Sequence, residues 1–147
     1  MIHIVLVLLI FFAELKIKAS IDQKEAGAGH SFHNCGIIRI RRHRNYGAFL
    51  NLGEHSRPVK WLSCIFTLFI ACLFILTLFQ HGNRWLKLGL SFLLGGAFSN
   101  TYDRLSRSYV VDYFSFNSPW KRLNRIVFNL SDFAILIGSL LLVLSQK

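Results

Sequence analysis

The sequence predicts an all-α membrane protein, four transmembrane helices with a small surface β element between the first two. Three observations lead there. Apolar residues make up 53% of 147 and the mean hydropathy is +0.44, too apolar for an ordinary soluble domain of this length. Trp61–Phe79 is an apolar run without a single charge, and a helix needs roughly 20 such residues to cross a bilayer. Further apolar stretches precede and follow it, and the connections between them leave no room for a separate soluble unit. Residues 1–147 therefore read as one membrane-embedded domain with spans at about 2–19, 59–79, 85–101 and 126–144.

The first stretch, Ile2 to Ala19, has an unbroken apolar part only as far as Ala13, which also resembles the apolar region of a secretory signal. Against that reading, no Lys or Arg precedes it, and Glu14, Lys16 and Lys18 stand where a neutral cleavage region belongs. In the connection that follows, Gly36 to Asn45 (GIIRIRRHRN) begins by alternating apolar and basic residues, the pattern of a strand at the membrane surface, and Asn45-Tyr-Gly47 reads as a turn. Gln80-His-Gly-Asn83 is a tight polar hairpin between the second and third spans. The third and fourth are joined by a loop whose Asn117-Ser-Pro119-Trp120 reads as a turn with an interfacial aromatic. Gly95-Gly-Ala97 and Ser99 take bulk out of the third span and admit a close helix neighbour.

Alternating spans put the exit of the third, the start of the fourth and the long first connection on one membrane face. Asn45, Asn100, Asp103, Arg104, Asp112, Asn129 and Asp132 can then converge at one depth. The chain has seven acids, and three of them, Asp103, Asp112 and Asp132, fall in the last hairpin beside apolar sequence. An ionisable group at membrane depth is costly, about 2.5 to 3.5 kcal/mol on insertion scales, and so points to function. Asn100 with Asp103, and Asn129 with Asp132, stand three apart and share a helix face if both stretches are helical.

Two carboxylates in a poorly solvated site cannot both ionise cheaply, so the pair holds one proton and is an acid and a base at once. That suits attack of water on a peptide carbonyl. Composition alone does not choose two members from the three aspartates. The plainer readings are loop acids at headgroup level for Asp112 and Asp132, a supporting ion pair for Asp103-Arg104, structural hydrogen bonding for the asparagines, and an internal pair within the first span for Glu14 and Lys18.

Other chemistry fits less well. The formal charge of +10 and the run Arg39 to Arg44 would suit nucleic acid, but anionic lipid headgroups beside a span account for the same charges. His3, His30, His33, His43, His55 and His81 form no HExxH pair, only His30 and His33 are loosely spaced as ligands, and no metal or cofactor is expected. Cys35, Cys64 and Cys72 are odd in number, without a CxxC pair, and give no disulfide framework.

The motifs GGAFSNTYDR, YVVDYFSF and FNLSDFAI, in that order, resemble the C-terminal motifs of the lipoprotein signal peptidases, the signal peptidase II family. RNYGAF at Arg44 to Phe49 resembles the family's Asn-x-Gly-Ala-Ala-Phe stretch, and ELKIK at Glu14 to Lys18 its Asp-x-x-x-Lys signature. The resemblance implies that Asp112 and Asp132 are the catalytic pair of an aspartic endopeptidase. It also implies that Asn45, Asn100, Asp103, Arg104, Asn129, Glu14 and Lys18 support them or bind substrate. The implied substrate is a diacylglyceryl-modified prolipoprotein, cut on the amino side of its lipobox cysteine by a monomeric enzyme of the bacterial plasma membrane, surrounded by lipid. The alternative is a silent or divergent paralogue that binds lipopeptides without cutting them. Four positions depart from the motifs: Ser99 for glycine, Ser131 for alanine, Tyr113 for phenylalanine and Glu14 for aspartate.

Orientation carries a conflict. Fourteen of the 17 Lys and Arg fall in and beside the two long connections, nine from Lys16 to Lys60 and five from Arg104 to Arg125, which charge counting puts inside, whereas the family resemblance puts the aspartates at the outer face. We expect the outer-face orientation, because the substrate is lipid-modified before cleavage.

Overall fold

The computed structural model describes residues 1–24, 33–47, 57–80, 82–120 and 123–145. They form helices α1 (Ile2–Lys24), α2 (Arg57–Leu78), α3 (Arg84–Ser106) and α4 (Leu130–Leu144), and strands β1 (His33–Cys35), β2 (Ile38–Asn45) and β3 (Val110–Phe116). The Ala48-Phe49 end of the RNYGAF motif lies outside the described residues.

Helix α3 is the central element, packed against α1, α2 and α4. Its Leu90, Leu93 and Leu94 meet Val7 of α1 and Ile70 and Phe74 of α2 in the apolar core. The small residues of α3 allow the close approach expected from sequence. A Cβ added at Gly95 would lie 2.9 Å from Ile10 Cβ, and one at Gly96 only 2.5 Å from the Ser131 carbonyl oxygen. Helix α4 reciprocates at Gly138, where a Cβ would meet the Gly89 carbonyl at 2.6 Å. Outward-facing side chains on all four helices include large apolar ones, among them Leu8 and Phe12 on α1, Leu62, Phe66 and Phe69 on α2, Trp85, Phe98 and Leu105 on α3, and Leu136 and Leu140 on α4. Among the described helices, Pro58–Leu78 is long and apolar enough to cross a membrane by length and composition, and Leu130–Leu144 is apolar but shorter.

Two expectations require correction. The β element is not confined to the first connection: β3, from between α3 and α4, completes an antiparallel sheet of order β1-β2-β3. Its sequence, VVDYFSF, is rich in the β-branched and aromatic residues that suit a half-buried pleated surface. Helix α4 also begins at Leu130 rather than near Ile126. Phe128 instead extends the sheet as an isolated bridge to Phe114, and the amide of Phe128 donates to the Phe114 carbonyl at 2.7 Å. Helices α1 and α3 run on to Lys24 and Ser106, past the ends of their apolar stretches. The α2–α3 hairpin turns on Gly82, at φ 94°, and on Asn83, whose side chain caps α3 by accepting from the Leu86 amide at 3.0 Å.

Candidate active site

The β2–β3 pairing is what joins the first connection to the last hairpin. Its register sets Asn45 opposite Val110 and His43 opposite Asp112, with an irregularity between Ile40 and His43. Asp112 thereby reaches the mouth of the bundle next to the first turn of α4. The asparagine of the Asn45-Tyr-Gly47 turn accepts from the Gly47 amide through Oδ1 at 3.1 Å, which leaves its Nδ2 to donate to Asp112 Oδ2, also at 3.1 Å.

Asn129 connects the two aspartates. As N-cap of α4 its Oδ1 accepts from the Asp132 amide at 3.0 Å, while Asp132 Oδ2 accepts from the Asn129 amide at 3.1 Å, a reciprocal capping box. Its Nδ2 is then turned to Asp112 Oδ1 at 2.6 Å. The remaining Asp132 oxygen, Oδ1, accepts from Asn100 Nδ2 at 3.0 Å. All four carboxylate oxygens therefore receive an N–H. Asn129 and Asp132 do not share a helix face as the three-residue spacing suggested, because Asn129 is extended at φ −127° and stands outside the helix it caps.

Asp112 is 3% exposed. Burial, followed by the negative charge of Asp132, pushes its carboxyl up to about 7, against the hydrogen bonds from Asn129 and Asn45 and the more distant Lys18. Asn129, bonded to both, holds the two carboxylates side by side, as a shared-proton pair requires.

Beneath the pair, Lys18 is fully buried. Its Nζ lies 3.4 Å from Glu14 Oε2 and 3.2 Å from Asp103 Oδ2, and donates to Ser99 Oγ at 2.9 Å and Asn100 Oδ1 at 2.8 Å. The bond to Asn100 fixes the orientation of that amide, so its NH₂ end faces Asp132. The expected Asp103-Arg104 ion pair does not form. Helical geometry sends adjacent side chains apart, so Asp103 turns inward to Lys18 and to Arg107 Nε at 3.7 Å, and also accepts from the Val111 amide at 3.3 Å. Arg104 turns toward the aspartates and donates to the carbonyls of Gly47 at 3.1 Å and Asn100 at 3.3 Å. All nine candidate residues are thus brought into one cluster, linked through these contacts.

Further residues around the cluster were not assigned to the site from the sequence. Tyr113 donates from its hydroxyl to Glu14 Oε1 at 2.8 Å and accepts from the Leu130 amide at 3.2 Å. Asp22, at the end of α1, gathers Tyr109 at 2.9 Å and Arg42, Arg44 and Arg107 within 3.7 Å. The basic run on β2 is therefore internally engaged: besides Arg42 and Arg44 on Asp22, Arg41 donates to the carbonyls of Asn124 and Arg125, and Arg39 to Asn117 Oδ1. Phe114, Phe116, Phe128 and Phe133 form an aromatic cluster beside Asp132, with Phe114 and Phe133 stacked at 5.3 Å and most other pairs meeting edge to face. Phe116, Phe128 and Phe133 help line an apolar cavity of about 600 Å³ that runs from Asp132 along α4 past Leu136 to Ser139.

The sequence model of the family described as signal peptidase (SPase) II matches residues 5–146. Among curated relatives, the lipoprotein signal peptidase of Shewanella baltica is 33% identical over 142 residues, 92% of this chain and 79% of the relative. That of Haemophilus ducreyi is 35% identical over 111 residues, 74% of this chain and 68% of the relative. A bacterial membrane enzyme solved by the in meso method at 2.3 Å resolution superposes with a TM-score of 0.81 at 22% identity, covering 98% of this chain and 86% of that one, a likeness of fold. With motifs, fold and a match over nearly its whole length in agreement, this chain belongs to the signal peptidase II family.

Proposed function

We propose that the chain is a membrane aspartic endopeptidase that removes the signal peptide from diacylglyceryl-modified prolipoproteins at the lipobox cysteine, with Asp112 and Asp132 as its catalytic pair. The observation that carries the assignment is Asn129, which holds one aspartate through its side chain and the other through its backbone amide. Asp112, pushed up to about 7, carries the shared proton. Asp132 sits in the first turn of α4, where the helix dipole favours negative charge, and is the ionised member. It takes a proton from water as the water oxygen bonds to the scissile carbonyl carbon, while Asp112 gives its proton to the carbonyl oxygen. On collapse the C–N bond breaks, and the proton held by Asp132 passes to the leaving amine. The hydroxyl proton of the intermediate returns to Asp112 as the new carboxyl forms. Arg104 and the asparagines hold the pair in register.

The apolar cavity along α4 supports a lipid-bearing substrate, since it opens beside Asp132 and offers phenylalanine and leucine surface to an acyl chain. The apolar outer surfaces of α1, α2 and α4, together with exposed Trp85, Phe98 and Leu105 on α3, support four spans with membrane lipid around the bundle. In this reading the enzyme works as a monomer. The active site faces outward in this reading, where lipid-modified precursors arrive.

The test is cleavage of a diacylglyceryl-modified lipobox peptide by purified protein. Asp112→Asn and Asp132→Asn each abolish cleavage while the protein still accumulates in the membrane. Near-normal turnover in either variant would refute the pair, and binding of the peptide without cleavage by the parent would favour a silent paralogue.

A further inference from the structure

Two of the four departures from the family motifs, Glu14 and Tyr113, touch one another across the fold although 99 residues separate them. Both are buried, at 2% and 6% exposure. The Tyr113 hydroxyl satisfies the Leu130 amide, one of the first-turn donors of α4 that has no partner within its own helix. Burial, and then the Glu14 carboxylate, push the phenol upward, so it stays protonated and is the donor toward Glu14.

We propose that Glu14 and Tyr113 are a matched pair of positioning residues, in which the Tyr113 hydroxyl is required because residue 14 is a glutamate, and the two together hold Asp132 in place relative to Asp112. The inference rests on the reading of Asp112 and Asp132 as the catalytic pair. From Glu14 two chains of contacts lead to Asp132. One passes through Tyr113 to Leu130, in the first turn of α4; the other passes through Lys18 at 3.4 Å and Asn100 at 2.8 Å to Asp132 Oδ1 at 3.0 Å. Tyr113 also follows Asp112 directly on β3, so the circuit closes on both carboxylates.

The chemistry makes the two positions interdependent. Phenylalanine at 113 leaves the buried Glu14 Oε1 and the part-buried Leu130 amide without this partner, and an unmet buried group costs more than a hydrogen bond contributes. Aspartate at 14, shorter by one methylene, withdraws from the phenol toward Lys18 and leaves the hydroxyl without its acceptor. With both changes the acid no longer reaches for the phenol, there is no phenol to strand, and only the Leu130 amide is left without its partner. Tyr113→Phe alone is therefore worse than the double.

A double-substitution cycle on the full-length protein tests this, with the diacylglyceryl-modified lipobox peptide as substrate and Asp112→Asn as the inactive control. Tyr113→Phe and Glu14→Asp each lower kcat by about tenfold with KM unchanged, the scale of losing one hydrogen bond to a charged group. The double variant is faster than Tyr113→Phe alone. A double variant no faster than Tyr113→Phe, or Tyr113→Phe with unchanged kcat per folded molecule, overturns the proposal. Should Tyr113→Phe not accumulate, adding Glu14→Asp restores accumulation, and failure of that rescue overturns it equally. Thermal midpoints of the four proteins in detergent follow the same non-additive order. They keep this test separate from the functional reading, which fails instead if the parent does not cleave.

Discussion

Asp112→Asn should change how stability depends on pH, quite apart from ending catalysis. In the folded protein the Asp112 carboxyl is pushed from 3.8 up to about 7. Its raised position means that the fold favours the protonated form: the unfolded chain releases this proton above about pH 4, and the folded chain keeps it until about pH 7. The contribution to stability is therefore greatest below pH 4, falls as pH rises, and levels off above 7. Integrated from pH 5 to pH 8 with these two values, the parent loses roughly 2–3 kcal/mol that an uncharged residue at 112 does not lose. Asparagine has nearly the same shape, but Asn129 and Asn45 both present NH₂ groups to this side chain, so one of them would face a donor instead of an oxygen. That cost does not depend on pH and cancels when each protein is compared with itself. The assay is thermal or denaturant unfolding in detergent at pH 5 and pH 8, for parent and variant. A parent no more sensitive to this change than Asp112→Asn would refute the placement of a neutralised carboxyl at 112.

The same displacement predicts that kcat/KM of the parent declines as pH rises through about 7, as Asp112 loses its proton; a rate flat from pH 6 to 9 would contradict it. Asp103→Asn leaves Lys18 with Glu14 as its remaining anionic partner, and breaking a buried pair costs roughly 3–5 kcal/mol, so the thermal midpoint in detergent drops while cleavage persists at a reduced rate. Gly96→Ala puts a methyl 2.5 Å from the Ser131 carbonyl, in the first turn that carries Asp132, so both yield and kcat fall, by roughly 1–3 kcal/mol of overpacking in the unfolding midpoint. In a cysteine-free background, a cysteine at Ser118 reacts with a membrane-impermeant thiol reagent in intact cells and one at Gly82 does not; the reverse pattern would invert the orientation.

The parts of the site legible in the sequence were those carried by residue type. Aspartates beside apolar sequence, asparagines one helical turn from them, and the glycines that open α3 to its neighbours each announce themselves, because polarity at membrane depth and missing bulk are both costly without a use. What stayed hidden depended on backbone geometry. Asn129 is three residues from Asp132 whether it lies on the helix or caps it, and the spacing alone does not tell the two apart. The cap is the more useful arrangement, since it spends the carbonyl end of the amide on the helix and frees the NH₂ end for Asp112. Strand β3 was obscured in another way. VVDYFSF sits in the connection between α3 and α4, and only pairing with β2 from a distant part of the chain makes it a strand.

The basic run on β2 shows why a charge count is a poor guide to the use of charges. Read as composition, Arg39, Arg41, Arg42 and Arg44 suggest either a topology signal or a lipid contact. In the fold each has an oxygen acceptor of its own, and the acceptors belong to α1, to the residues after β3, and to the turn before α4. A guanidinium has five donors in a rigid fork and can tie carbonyls and carboxylates from separate segments to one strand, which a lysine cannot do as well. These ties bear on catalysis through Asn45, the last residue of β2 and a donor to Asp112. If β2 slid against β3 by one residue, Asn45 would turn to the opposite face and Asp112 would lose that donor. The arginines on Asp22 and on the Asn124 and Arg125 carbonyls resist such a slip from both sides of the strand, so the positive charge of this connection serves the register of the active site.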